Sequence, residues 1–121
     1  MLQLKNKKGD VLYEADVKTW EGHVFPKNLD LDDLYVEGNA SFRYATFKGD
    51  ASFFNATFKG NVSFNKATFK GYASFTNATF KSDVSFTDAT FGKLPNDFPL
   101  SIMPSIGEGD LTIRGFSYVT T

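Results

Sequence analysis

Ala51-Ser52-Phe53-Phe54-Asn55-Ala56-Thr57-Phe58-Lys59-Gly60-Asn61 runs directly into Val62-Ser63-Phe64-Asn65-Lys66-Ala67-Thr68-Phe69-Lys70-Gly71-Tyr72. The two stretches are copies of one eleven-residue unit. Phe recurs at 42, 47, 53, 58, 64, 69, 75, 80, 86 and 91, in unbroken steps of 5 and 6. A small Ala or Val stands two residues before each Phe, and Ser or Thr stands just before it. The same stepping continued backwards meets Val36, Leu31, Phe25 and Trp20, all large and apolar. Forwards it meets Asp97, in a segment crowded by Pro95, Pro99 and Pro104. The repeat therefore spans 20–92, with 1–19 before it and 93–121 after it.

An eleven-residue period also suits a right-handed helical coiled coil. A helical seam needs apolar residues at spacings of 3 and 4, and here the strong positions lie 5 and 6 apart. Gly49, Gly60 and Gly71 would each cost about 1 kcal/mol inside a helix. Extended segments fit instead, because alternate residues of a strand face the same way. Ala56 and Phe58 then point inward, Thr57 and Lys59 outward, and the chain turns at Gly60-Asn61. One eleven-residue coil is too narrow for two Phe rings. Four walls of 5, 6, 5 and 6 residues give a 22-residue square coil with four interior columns. These are Trp20, Phe42, Phe64, Phe86; Phe25, Phe47, Phe69, Phe91; Leu31, Phe53, Phe75; and Val36, Phe58, Phe80. The expected fold is all-β.

The pattern Ala45-Thr46-Phe47-Lys48-Gly49-Asp50-Ala51-Ser52-Phe53 resembles the pentapeptide-repeat proteins, over about residues 31–92. That resemblance implies a right-handed quadrilateral β-helix, with the Phe set as its central apolar position. Ala45, Ala51, Ala56, Val62, Ala67, Ala73, Ala78, Val84 and Ala89 fall on its small inward position. The opening, Leu4 to Glu14, is similar to the short leader before the repeats in many bacterial and phage members.

A solenoid leaves an unpaired strand edge at each end, which has to be covered. Leu2-Gln3-Leu4 and Val11-Leu12-Tyr13 around Lys7-Lys8-Gly9-Asp10 read as a β-hairpin, hence an N-terminal cap. Leu111 to Tyr118 alternates apolar and polar and reads as a C-terminal capping strand or an oligomer contact, reached through a Pro-punctuated loop.

Composition narrows the function classes. The 121 residues carry 13 basic and 14 acidic side chains, no Cys and one His. No thiolate or poly-His metal site can be built. No apolar run approaches a membrane span of about 20 residues, and the start lacks the apolar stretch of a secretory signal. The expectation is a cytoplasmic protein, or a virion-associated one if phage-encoded, without membrane contact. His23 has no catalytic partner in the sequence, and Asp30, Asp32 and Asp33 match no EF-hand spacing. No phosphate loop, nucleophile elbow or Ser/His/Asp set occurs, so no enzyme, cofactor or metal is expected.

The outside therefore carries the function. Lys48 and Lys70 should stack on one wall, Lys59 and Lys81 on the opposite one, with Phe54 at an outward position and Tyr44 and Tyr72 near the turns. These seven residues form the candidate partner-binding surface. Several relatives of this fold act on DNA topoisomerases by imitating the charge of DNA, which needs an acidic solenoid. Residues 37–92 carry six basic and four acidic groups, a net +2, so that analogy fails. Strong nucleic-acid binding is not expected either, for want of a basic arm. The sequence thus reads as a non-enzymatic scaffold for a protein partner, such as a phage or mobile-element inhibitor of a host protein. The alternative is a structural piece of a virion or surface assembly, with the C-terminal segment as a homo-oligomer contact. Polyanion or ice contact through Lys and Ser/Thr walls ranks third.

Overall fold

A computed structural model describes residues 1–93 together with the strand residues 111–112 and 117–118. The Pro-punctuated loop lies outside the described residues. Two-residue strands dominate the solenoid: Val24–Phe25, Leu29–Asp30, Tyr35–Val36, Ala40–Ser41, Thr46–Phe47, Ala51–Ser52, Thr57–Phe58 and Val62–Ser63. Thr68–Ser74 is longer, and Thr79–Phe80, Val84–Ser85 and Thr90–Lys93 complete the series.

Strand pairing fixes the coil. Thr46 pairs with Thr68 and Phe47 with Phe69; Val62 pairs with Val84 and also with Ala40. Thr57 pairs with Thr79 and Leu29 with Ala51. Every one of these ladders is parallel, and partners lie 22 residues apart. The ladders form four walls, named here by their strands. Wall one holds 40–41, 62–63 and 84–85; wall two holds 24–25, 46–47, 68–69 and 90–91. Wall three holds 29–30, 51–52 and 73–74; wall four holds 35–36, 57–58 and 79–80.

The interior is piled rings. Eleven phenylalanines, from Phe25 to Phe91, are almost wholly buried. Within each column successive rings lie nearly parallel, as in Phe25–Phe47–Phe69–Phe91 at 4.7, 4.6 and 4.9 Å. Between columns they meet edge-on, as in Phe53–Phe64 at 5.6 Å, or tilted, as in Phe53–Phe58 at 6.3 Å and 45°. The stacked and edge-on arrangements both suit the ring quadrupole. The stacking distance is set by the backbone, because hydrogen-bonded strands lie about 4.8 Å apart. Each small inward residue from Ala45 to Ala89 is buried as well. A larger side chain there would compete with the ring for the same space.

The first coil departs from this scheme. Leu29 and Leu34, at the Ala51 and Ala56 positions one coil below, are buried and fill space left by the missing rings. Trp20 is buried but lies outside any strand, against Phe25 at 5.5 Å. Val36 is only half-buried. It lines a groove of about 420 Å³ between the hairpin and walls four and one, which the cap leaves open.

The hairpin is present as β1 (Leu2–Lys5) and β2 (Val11–Ala15), antiparallel. An isolated bridge joins Asn6 to Leu34, and buried Leu4 joins the core. At the other end the single expected strand is two short ones. Leu111–Thr112 pairs with Val84–Ser85, and Ser117–Tyr118 pairs with Thr90–Phe91, both in parallel. These partners lie 27 residues apart, one coil plus five. These two strands continue walls one and two.

Candidate binding surface

Two kinds of corner carry the outward side chains. The first is a β-turn such as Phe53-Phe54-Asn55-Ala56, closed by Ala56 N–H donating to Phe53 C=O at 3.1 Å. Its third residue takes a left-handed φ: Asp33, Tyr44, Asn55, Lys66, Asn77 and Asp88 all lie between 58° and 65°. Asn and Asp tolerate this region. Tyr44 and Lys66 do so at a cost of about 1–2 kcal/mol each. The alternation of a strand does not predict these corners, so the turn at Gly60-Asn61 is only half of the corner set. Phe54 sits at the second position of its turn and is 41% exposed, while Tyr44 is 54% exposed.

The second corner is the bend at Gly49 and Gly60, followed by Asp50 and Asn61; the equivalent Gly71-Tyr72 lies inside the continuous strand Thr68–Ser74. Asn28 Oδ1 accepts from the Asp50 N–H at 3.1 Å, and Asp50 Oδ1 accepts from the Tyr72 N–H at 3.0 Å. Asn39 does the same for Asn61 and Asn61 for Asp83, at 2.9 and 3.1 Å. These amide ladders clamp coil to coil. Asn or Asp at 28, 39, 50 and 61 was the available signal.

Six of the seven candidate residues divide between opposite faces, and Tyr72 stands at a third. Lys48 and Lys70 follow the wall-two strands, one coil apart, with Tyr44 at the corner leading into that wall. Lys59, Lys81 and Phe54 belong to wall four and its corner. There Lys59 reaches Glu37 at 3.7 Å, an exposed pair of little energetic weight. Tyr72 is 53% exposed at the corner between walls two and three, and lines a shallow trough on wall three with Asp30, Asp50 and Ser52.

Wall two gains two cations that the candidate set lacks. The turns preceding its strands bring in Arg43 and Lys66. Lys66 Nζ donates to the Tyr44 hydroxyl at 3.2 Å and lies 5.3 Å from the ring centroid, with the Arg43 guanidinium at 5.7 Å. The hydrogen bond and charge of Lys66, with a smaller contribution from Arg43, hold the Tyr44 phenol below its ordinary pKa. Arg43, Lys48, Lys66 and Lys70 are all exposed around a ladder of half-buried Thr46 and Thr68.

The residues considered for chemistry are engaged elsewhere. Asp30 accepts from the Asp32 N–H at 3.0 Å, Asp32 from the Ser52 hydroxyl, and Asp33 from Asn55 Nδ2 at 2.6 Å. No group of three or more His, Asp or Glu that could hold a metal occurs among the described residues. His23 Nε2 shares a hydrogen bond with the Tyr13 hydroxyl at 2.8 Å, and its ring stands edge-on to Phe25 at 4.7 Å. Burial pushes the His23 imidazole below its ordinary pKa and the Tyr13 phenol above its own. This pair pins the hairpin to the first coil.

No curated protein and no solved structure matches the chain. The family described as pentapeptide repeats (9 copies) matches residues 35–76 and 64–94, the stretch that forms the stacked coils. Residue pattern, 22-residue winding and family match agree, and the chain belongs to the pentapeptide-repeat proteins.

Proposed function

We propose that this protein is a non-enzymatic scaffold that presents its outer walls to a protein partner, in the manner of an inhibitor or regulator encoded by a phage or mobile element. The observation that carries the reading is the division of labour between inside and outside. The core is aromatic and aliphatic throughout, and no buried polar or charged residue occurs among the described residues. Such an interior holds the walls rigid and offers no site for chemistry. Recognition falls to the exposed side chains, and a rigid face lowers the entropy lost on binding. Tyr44 and Phe54 are aromatic groups of the kind that anchor interfaces.

The test is affinity capture from a bacterial lysate with three folded baits: the native chain, Tyr44→Ala and Phe54→Ala. A specific prey retained by the native chain and lost by one variant supports the reading. Identical recovery with all three baits contradicts it. A second reading, a structural piece of a larger assembly, is favoured by the strands at 111–112 and 117–118, which extend two of the four walls. It predicts a defined homo-oligomer by light scattering, and a monomeric mass at high concentration argues against it.

A further inference from the structure

We propose that wall two is the docking face and that its partner is an acidic, extended segment of another protein. The proposal rests on the scaffold reading and adds which wall is used and the chemistry of the occupant.

Charge is unevenly spread along the winding. Residues 1–37 carry eight acidic and five basic groups, a net −3, whereas residues 38–93 carry three acidic and seven basic groups, a net +4. The middle coils are thus a positive band above an acidic base. Within the band, wall two collects the cations. Arg43, Lys48, Lys66 and Lys70 surround it, and Tyr44 supplies a flat ring between two of them. Its nearest carboxylates are turned to other duties. Glu21 accepts from Ser41 on wall one at 2.7 Å, and Asp50 caps the Tyr72 N–H at the wall-three corner. On wall four, by contrast, Lys59 faces Glu37, and Asp33 lines one shallow hollow together with Lys7, Lys59 and Lys81.

The size of the band selects the class of polyanion. Lys48 and Lys70 belong to adjacent coils, about 4.8 Å apart in backbone spacing. Glu21 lies at the level below Arg43, and Asp88 at the level above Lys66. A nucleic-acid duplex or an anionic membrane surface is broader than the band and meets those carboxylates and the acidic base. A strand crossing the wall does not. Its same-face side chains recur every ~6.6 Å, so two to four carboxylates reach the cations while the rest of the strand leaves the face. The Thr46 and Thr68 hydroxyls and the Tyr44 ring offer polar and stacking contacts along that line.

The probe is a ten-residue Glu/Asp-rich peptide, added to the full isotope-labelled chain and followed by amide chemical shifts. Controls are the Gln/Asn counterpart peptide, a single-stranded DNA of equal charge and vesicles rich in anionic lipid. The expected result is salt-sensitive binding of the acidic peptide, with shifts confined to residues 43–48 and 65–70. A Lys48→Glu/Lys70→Glu variant should weaken it by about tenfold or more, as loss and reversal of two screened charges implies. A Lys59→Glu/Lys81→Glu variant should change it by less than about twofold. Both variants replace exposed side chains, and unchanged circular dichroism establishes that they fold. Equal loss with both pairs, no binding of the acidic peptide, or tighter binding of the DNA or vesicles would overturn the proposal. If the acidic peptide fails while a lysate partner is still lost on Tyr44→Ala, the acidic-segment proposal falls and the scaffold reading stands.

Discussion

Phe64 is the residue whose replacement tests the aromatic core most severely. It is fully buried between Phe42 at 5.1 Å and Phe86 at 5.0 Å in its own column. Phe53 and Phe75 meet it edge-on, both at 5.6 Å. Truncation to Ala removes the ring and leaves a void whose walls cannot close. The perimeter of the coil is fixed by inter-coil bonds such as Phe64 N–H to Ser85 C=O at 2.8 Å and Phe42 N–H to Ser63 C=O at 2.7 Å. Phe→Ala in a core costs about 3–5 kcal/mol, and the rigid perimeter places this site near the upper end. Phe64→Leu keeps most of the volume and should cost roughly 1 kcal/mol. Phe64→Asp brings an unpaired charge into the stack, and a domain with about 5–15 kcal/mol of total stability does not survive it. The assay is reversible denaturant unfolding followed by circular dichroism. A loss under about 1.5 kcal/mol for the Ala variant, against the 3–5 kcal/mol of a rigid core, or a native melt for the Asp variant, refutes the reasoning.

Three further outcomes follow from the winding and its cap. Gly49→Ala should destabilise by about 1–3 kcal/mol, since its Cβ would sit 2.6 Å from the backbone of Lys27. Gly38→Ala, with nothing within 4 Å of that position, should be neutral in the same thermal melt. Asn61→Ala removes the side-chain acceptor of the Asp83 N–H, and should lower stability by about 0.5–1.5 kcal/mol in denaturant titration. The pH dependence follows from His23. Burial lowers its pKa in the folded chain, so the unfolded chain takes up the proton first as pH falls. The stability is fully present above the ordinary His value of about 6.5 and is lost as pH drops through and below it. Melting midpoints between about pH 7.5 and 5.5 should fall less steeply in His23→Gln than in the native chain. Parallel curves would contradict that assignment.

The four columns could be read from the chain because a single residue type marks them at a spacing no helix allows. The same logic weakened wherever another residue type took over. In the first coil, Leu29 and Leu34 supply volume from the small position, while Val36 is left half-exposed. The corners stayed hidden because Tyr44 and Lys66 hold a conformation that usually announces itself by Asn or Asp. That is also why the basic wall was only half visible. Strand alternation places Lys48 and Lys70 correctly, but Arg43 and Lys66 reach the same face through a turn, where alternation does not apply. Beyond Gly92 the register step of 22 becomes 27, which a fixed period does not anticipate.

The 22-residue coil itself is open to a direct chemical test, because the chain contains no cysteine. Thr57 and Thr79 are register partners on wall four, whereas Thr68 lies on wall two across the aromatic core. Backbone partners in adjacent strands fall within the Cα separation of about 4.4–6.8 Å that a disulfide spans. Under mild oxidation the Thr57→Cys/Thr79→Cys chain should form an intramolecular disulfide, and the Thr57→Cys/Thr68→Cys chain should remain a dithiol. A disulfide between positions 57 and 68, with none between 57 and 79, would show an eleven-residue winding and contradict the square tube.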